Sequence, residues 1–348
     1  MDDILIRREG RAGRITLNRP QALNALTYAM CLEIDRALIA WADDPEVALI
    51  VIDAEGDRAF CAGGDIAEMY ATGRRGDFGY GRRFWADEYR MNARIADYPK
   101  PVVSFLQGFT MGGGVGVGCH GSHRIVGESA QVAMPECGIG LVPDVGGSFL
   151  LATAPGHLGE YLGTTGTRMG SADAILAGFA DRFVPEANWP ALKARLVGTG
   201  DAGAVEAAAR EAPEGRLAAL RPEVDALFAG ATLADIVGTL ASAGTPFAAE
   251  ALAALSRAAP LSAACTVEMV RRLRGRATMR AALALEYRFT FRSMDRADFI
   301  EGIRAAIIDK DRNPRWRHRG PEAVPVADVE AMLAPLGANE LTFGEERP

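Results

Sequence analysis

The chain has 348 residues, of which 49% are hydrophobic and 24% charged, with a formal net charge of −7. That length exceeds what a single core usually holds, so a large domain with an appendage is expected. The acidic balance argues against a nucleic-acid binder, and with no run of about 18 apolar residues to span a membrane, a soluble cytoplasmic protein is expected.

The start, Met1 to Gly10, is acidic and lacks the apolar segment of a signal peptide. Ile4-Leu5-Ile6 and Ile15-Thr16-Leu17 flank Gly10-Arg11-Ala12-Gly13, which predicts strand, turn, strand. Thr27 is placed to cap a helix whose apolar face carries Met30, Ile34, Leu38 and Trp41. The run from Val47 to Asp53 reads as a strand buried on both faces. Ala62-Gly63-Gly64-Asp65 follows. It reads either as an ordinary tight turn or as a helix start with free N–H groups and Asp65 as cap, and from the residues alone the turn is favoured.

Residues 79–98 predict a helix on which Trp85, Glu88, Asn92 and Ile95 share a face. Spacing alone favours a solvated Glu88 at the edge of that face, because buried unpaired carboxylates are rare. Pro99-Lys100-Pro101 leads into a strand from Val102 to Leu106, and another begins at His123. Between them lies Gly112-Gly113-Gly114, which lets the backbone turn sharply and lets another molecule approach its N–H groups. Glu136 and Asp144 come soon after, in Pro135-Glu136 and Pro143-Asp144-Val145-Gly146-Gly147. Carboxylates on loops beside exposed N–H groups are equipment for proton transfer or nucleophilic attack. Short helices are expected at 145–152, 157–162 and 172–179, so strands and helices alternate to about residue 190 in a mixed α/β core. From there Ala, Leu, Glu and Arg dominate, strand signals vanish, and a last helix is expected at 329–336. The division expected is a catalytic core at 1–190, a helical region at 191–320 and a polar tail at 321–348.

Three other motifs carry less. Gly116-Val117-Gly118-Cys119-His120-Gly121 is a literal G-x-G-x-x-G, but a strand signal follows where a dinucleotide fold needs a long helix. His120 and His123 lack a third metal ligand, so no metal site is expected. The cysteines 31, 61, 119, 137 and 265 are scattered and read as reduced core thiols. No G-x-S-x-G elbow is present.

The ordered motifs resemble the crotonase, or enoyl-CoA hydratase/isomerase, superfamily. They are Asn18-Arg19-Pro20 with Ala22-Leu23-Asn24-Ala25-Leu26, Phe60-Cys61-Ala62-Gly63-Gly64-Asp65, Lys100-Pro101-Val102-Val103, Met111-Gly112-Gly113-Gly114 and Pro135-Glu136. Glu88-Tyr89 with Asn92, Pro143-Asp144-Val145-Gly146-Gly147, Glu286-Tyr287-Arg288 and Ile308-Asp309-Lys310-Asp311 are similar to its 3-hydroxyisobutyryl-CoA hydrolase branch. The resemblance runs from about residue 4 to about 318, and is weakest at 195–255. It implies a spiral of ββα turns followed by C-terminal helices, an acyl-CoA substrate and no separate cofactor, CoA being part of the substrate. It also implies an oxyanion hole from the N–H groups of Gly64 and Gly113, catalysis by Glu136 and Asp144, and substrate contact by Glu88, Gly113, Glu136 and Asp144. The Glu88 of this reading is held inward.

Hydratases of the family place a glutamate three residues after the middle glycine, where this chain has Gly116. Water addition is therefore disfavoured, and the resemblance to the hydrolase branch implies hydrolysis of a 3-hydroxyacyl thioester, a step of valine catabolism. The alternatives are a hydratase or isomerase with unusual acids and an acyl-CoA-binding protein without catalysis. Glu136 either attacks the thioester carbon or activates water; the sequence leaves both open, as it does a monomer against a homotrimer or hexamer.

Overall fold

The structure is a computed structural model that describes residues 2–344; the last four residues of the expected tail, 345–348, lie outside the described residues. The strands are β1 (Ile4–Glu9), β2 (Ala12–Leu17), β3 (Leu49–Ala54), β4 (Ala59–Cys61), β5 (Val102–Leu106), β6 (Phe109–Met111), β7 (His123–Val126), β8 (Gln131–Ala133) and β9 (Arg182–Phe183). Helices near the expected site residues are α1 (Tyr28–Ala42), α2 (Ala67–Gly73), α3 (Gly79–Ala96), α4 (Gly113–Gly118) and α5 (Gly147–Thr153).

The chain forms two compact units from interleaved segments, whereas the sequence reading divides it serially at 190 and 320. The first gathers the chain up to Asp65, Asp87–Ala133 and Arg168–Ala218; the second gathers Ile66–Ala86, Met134–Thr167 and the stretch from Ala219 onward.

In the first unit, β1 and β2 pair antiparallel, and β3, β5, β7 and β9 continue the sheet in parallel, in the order β1-β2-β3-β5-β7-β9. A second, parallel sheet runs β4-β6-β8. Each pair β3/β4, β5/β6 and β7/β8 thus gives one strand to each sheet, and the repeat advances one strand per turn. That is the expected spiral of ββ turns. The six-stranded sheet buries Leu49, Val51, Val103, Phe105 and Ile125 with Trp189, Leu192 and Leu196 of the helix Trp189–Thr199. Alternate residues of β3 and β5 point this way because side chains alternate across a strand. β4, β6 and β8 are three residues each, too short for an alternation to register, and the sequence reading missed them.

Thr27 caps α1 as expected, its hydroxyl accepting from the Met30 N–H at 3.2 Å. Asp65 does not cap α2. The cap position is Ile66, without a side-chain bond, and Arg19 takes the Asp65 carboxylate at 3.1 Å. The helix expected from Val145 starts only at Gly147, because Val145 and Gly146 have φ of 54° and 83° and form a turn. The last helix runs Val326–Leu333, three residues earlier than expected.

In the second unit Tyr161 stacks edge-on with Phe228 and Phe247, each at 5.3 Å between centroids. Phe228 and Phe247 come from the stretch after Ala219 and are buried, as is Tyr161. No helix among the described residues is long and apolar enough to cross a membrane.

Candidate active site

The loop Ala62–Asp65 is held by the segment 23–26. Ala62 N–H donates to Leu23 C=O (3.0 Å), Leu26 N–H to Gly63 C=O (2.9 Å) and Asp65 N–H to Leu26 C=O (2.8 Å). This segment is itself fixed by Asn24, which is buried at φ 55° and whose amide donates to Glu55 C=O and Ala59 C=O at 2.9 Å each. Because Gly63 C=O and Asp65 N–H face Leu26 in a parallel bridge, the Gly64 N–H points the other way.

The glycine triplet meets that loop. Gly112 has φ 48° and ψ −121°, a conformation that suits glycine alone. A Cβ on Gly114 would lie 2.2 Å from Cys61 O, so close packing requires glycine there as well. Gly113 opens α4, and the first N–H of a helix has no partner within it. A Cβ on Gly113 would lie 3.1 Å from Glu88 Oε1 and 3.3 Å from Gly64 N. The structure therefore brings Gly64, Gly113 and Glu88 together, with the Gly64 N–H turned away from the Leu26 bridge and the Gly113 N–H at a helix start.

Glu88 is 4% exposed, which corrects the solvated reading drawn from spacing and agrees with the inward one. Its charge helps to raise the Cys61 thiol, which burial pushes up to about 12. One turn along α3, Asn92 is fully buried, and neither its Nδ2 nor its Oδ1 has a protein partner. The thiol of Cys137, next to Glu136, is pushed up to about 12 by burial and stays protonated at neutral pH. All five cysteines are buried and free. No group of three His, Cys, Asp or Glu side chains placed to hold a metal occurs among the described residues.

Glu136 and Asp144 lie in the second unit. Glu136 opens the short 3-10 helix Glu136–Ile139 and is 5% exposed, with Oε2 unpartnered. Its carboxyl is held well above the ordinary 4.5, first by burial and then by the charges of Asp144 and Glu286. A carboxylate that is expensive to ionise is a strong base once ionised. Asp144, 4% exposed, begins a turn closed by Gly147 N–H to Asp144 C=O at 2.7 Å. Positive φ at Val145 and Gly146 matches a type I′ turn. A β-branched residue in that region is strained by about 1–3 kcal/mol.

The sequence reading quoted Glu286 among its motifs but gave it no place in the site. This side chain is fully buried on the helix Met279–Arg296 and accepts the N–H groups of Gly146 (2.9 Å) and Ser148 (3.0 Å) and the Ser148 hydroxyl. Burial raises its carboxyl to about 8, against those donors. The available signal was a lone acid on a helix face that carries Ala282, Leu283 and Phe289.

Residues 12–333 match the family described as enoyl-CoA hydratase/isomerase. The chain is 37% identical to "3-hydroxyisobutyryl-CoA hydrolase, mitochondrial" of Gallus gallus, covering 97% of this chain and 90% of the relative. The Homo sapiens protein of the same name is 34% identical, with 98% and 91% covered. Among solved structures, one described as an enoyl-CoA hydratase from Rhodobacter sphaeroides is 63% identical, with a TM-score of 0.95 and coverage of 98% of this chain and 100% of that one. One described as a carnitinyl-CoA dehydratase from Mycobacterium thermoresistibile is 41% identical, with a TM-score of 0.94 and coverage of 99% and 100%.

Proposed function

Because this chain belongs to the enoyl-CoA hydratase/isomerase family, we propose its reaction from the acids it carries: it hydrolyses the thioester of a short 3-hydroxyacyl-CoA, 3-hydroxyisobutyryl-CoA foremost, to the free acid and CoA. The observation that carries this reading is the acid set. Glu136 is buried with an unpartnered oxygen, Asp144 raises its carboxyl, and position 116 is glycine.

In this reading the thioester oxygen takes the N–H groups of Gly64 and Gly113. Charge grows on that oxygen as the carbonyl is attacked, and one such donor is worth about 2.7–4 kcal/mol in a comparable site. Ionised Glu136 drives the attack. As nucleophile it bonds the carbonyl carbon, the C–S bond breaks, CoA leaves as thiolate, and water cleaves the resulting anhydride. As general base it takes a proton from water, whose oxygen bonds the carbon instead. Both routes consume one water and give acid plus thiol. Single turnover in ¹⁸O-water separates them, because label recovered in Glu136 requires the anhydride. Asp144 orients the acyl hydroxyl or the water, and Glu88 contacts the acyl group.

Water addition to a 2-enoyl-CoA is a second reading, favoured by the description of the 63% identical structure. It needs an acid three residues after Gly113, and Gly116 has no side chain to supply one. Thiol appearance, followed with a chromogenic disulfide over a panel of acyl-CoA esters, tests the proposal. Release of CoA from 3-hydroxyisobutyryl-CoA supports it; binding without release indicates an acyl-CoA-binding protein.

A further inference from the structure

The turn that carries Asp144 is closed by Gly147 N–H to Asp144 C=O. Its closing residue, Gly147, is also the first residue of α5, so the cap position of that helix is Gly146. A residue that caps with its own side chain needs extended backbone there. Gly146 instead has φ 83° and ψ 4°, and no local side chain caps the helix. Changing Gly146 to a capping conformation would undo the turn. Val145 before it has φ 54°, against the preference of a β-branched residue. The acceptor that satisfies these N–H groups comes from about 140 residues along the chain. Glu286 takes Gly146 N–H on Oε2 and Ser148 N–H and Oγ–H on Oε1, so one buried carboxylate bridges the turn and the first turn of the helix. Burying a polar group is costly unless its hydrogen-bonding capacity is filled, and here three donors occupy the two carboxyl oxygens. The helix that carries it starts with its own cap, Thr278, which accepts Ala281 N–H at 3.2 Å, so Glu286 is presented from a fixed base.

We propose that Glu286 is the positioning residue for Asp144: from the helix Met279–Arg296 it replaces the cap that α5 cannot supply and locks the strained turn on which Asp144 stands. This rests on the reading of Asp144 as an acid of thioester hydrolysis.

The test compares wild type, E286Q, D144N and the double variant on 3-hydroxyisobutyryl-CoA, with hydrogen exchange measured in parallel. In E286Q an amide NH2 confronts N–H donors. E286Q is expected to lower kcat by about 10-fold or more, with KM within about threefold, since the loss lies in orientation rather than binding. The double variant should be no slower than D144N by more than about twofold, because both act through one group. Exchange should quicken in the 144–150 segment and not elsewhere. If E286Q fails to fold, S148A removes one donor only, and should lower kcat about threefold with the same non-additivity toward D144N. E286Q within twofold of wild-type kcat, losses that multiply in the double variant, or unchanged exchange at 144–150 each overturn the positioning role. Full turnover by D144N overturns the reading of Asp144 and the positioning role with it, so the two failures are told apart by that variant alone.

Discussion

A Cβ on Gly113 would stand 3.3 Å from the backbone nitrogen of Gly64. That distance is tight for any side chain, and the carbonyl oxygen proposed to sit near both N–H groups would compete for the same space. Gly113→Ala should therefore lower kcat at least about 10-fold, part of the 10²–10³-fold worth of one oxyanion donor, with little loss in Tm. Its neighbour gives the opposite pattern. A Cβ on Gly114 meets the Cys61 carbonyl oxygen at 2.2 Å, so Gly114→Ala should unfold the protein readily. Thermal melting and thiol release on the same samples check both; equal melting losses in the two variants would contradict the assignment.

Glu136→Gln should abolish hydrolysis by about 10²–10⁴-fold while acyl-CoA binding persists, because the amide can neither attack nor accept the proton. The same variant should be more stable than wild type at neutral pH. The Glu136 carboxyl is raised in the folded protein, so between its ordinary 4.5 and its folded value the folded state holds more protons than the unfolded. Stability then falls as pH rises through that window. The advantage of Glu136→Gln should be small near pH 4 and grow above it. A Tm difference that does not change with pH would count against the buried carboxylate as its source.

Since Glu136 acts ionised, kcat/KM should rise with pH along an acid limb above the usual carboxylate range. Asp144 adds to that displacement through its negative charge. Asp144→Asn removes the charge, so the limb of the residual activity should move to lower pH. A limb that stays in place or moves upward would remove Asp144 from the environment of Glu136.

Selectivity follows from the number of acids assigned to one acyl group. The proposed reaction assigns Glu88, Glu136 and Asp144 to one acyl group, more acids than the chemistry uses, and such a set suits a substrate that brings its own hydrogen-bond donor. A 3-hydroxyl supplies it. 3-Hydroxyisobutyryl-CoA should be preferred over isobutyryl-CoA by up to roughly 10⁴-fold in kcat/KM, whereas 3-hydroxypropionyl-CoA, lacking only a methyl branch, should remain a good substrate. Equal rates on the first two would show that the hydroxyl is not read.

Much of the first unit was legible because its signals are local. The β1–β2 hairpin, the Thr27 cap and the apolar run from Val47 to Asp53, which holds the strand Leu49–Ala54 but for its last residue, each follow from a few adjacent residues. The second sheet was not, since three-residue strands leave no periodicity. Asp65 misled because its rival partner, Arg19, lies 46 residues earlier. Glu88 and Glu286 illustrate the harder case. A lone acid on an apolar helix face reads as solvated, and only the fold, which sets Oε1 of Glu88 near Gly113 and gives Glu286 its backbone donors, reveals burial with a use. Glu88 was recovered only through its resemblance to known relatives, and Glu286 not at all as a site residue.

The most direct measurement presents wild type and Glu136→Gln with 3-hydroxyisobutyryl-CoA and a 2-enoyl-CoA, recording free thiol and loss of the enoyl double bond together. Hydrolysis predicts thiol from the 3-hydroxy ester with wild type, none with Glu136→Gln, and an enoyl ester that keeps its double bond. Loss of the double bond without thiol release would contradict the account and make this chain a hydratase.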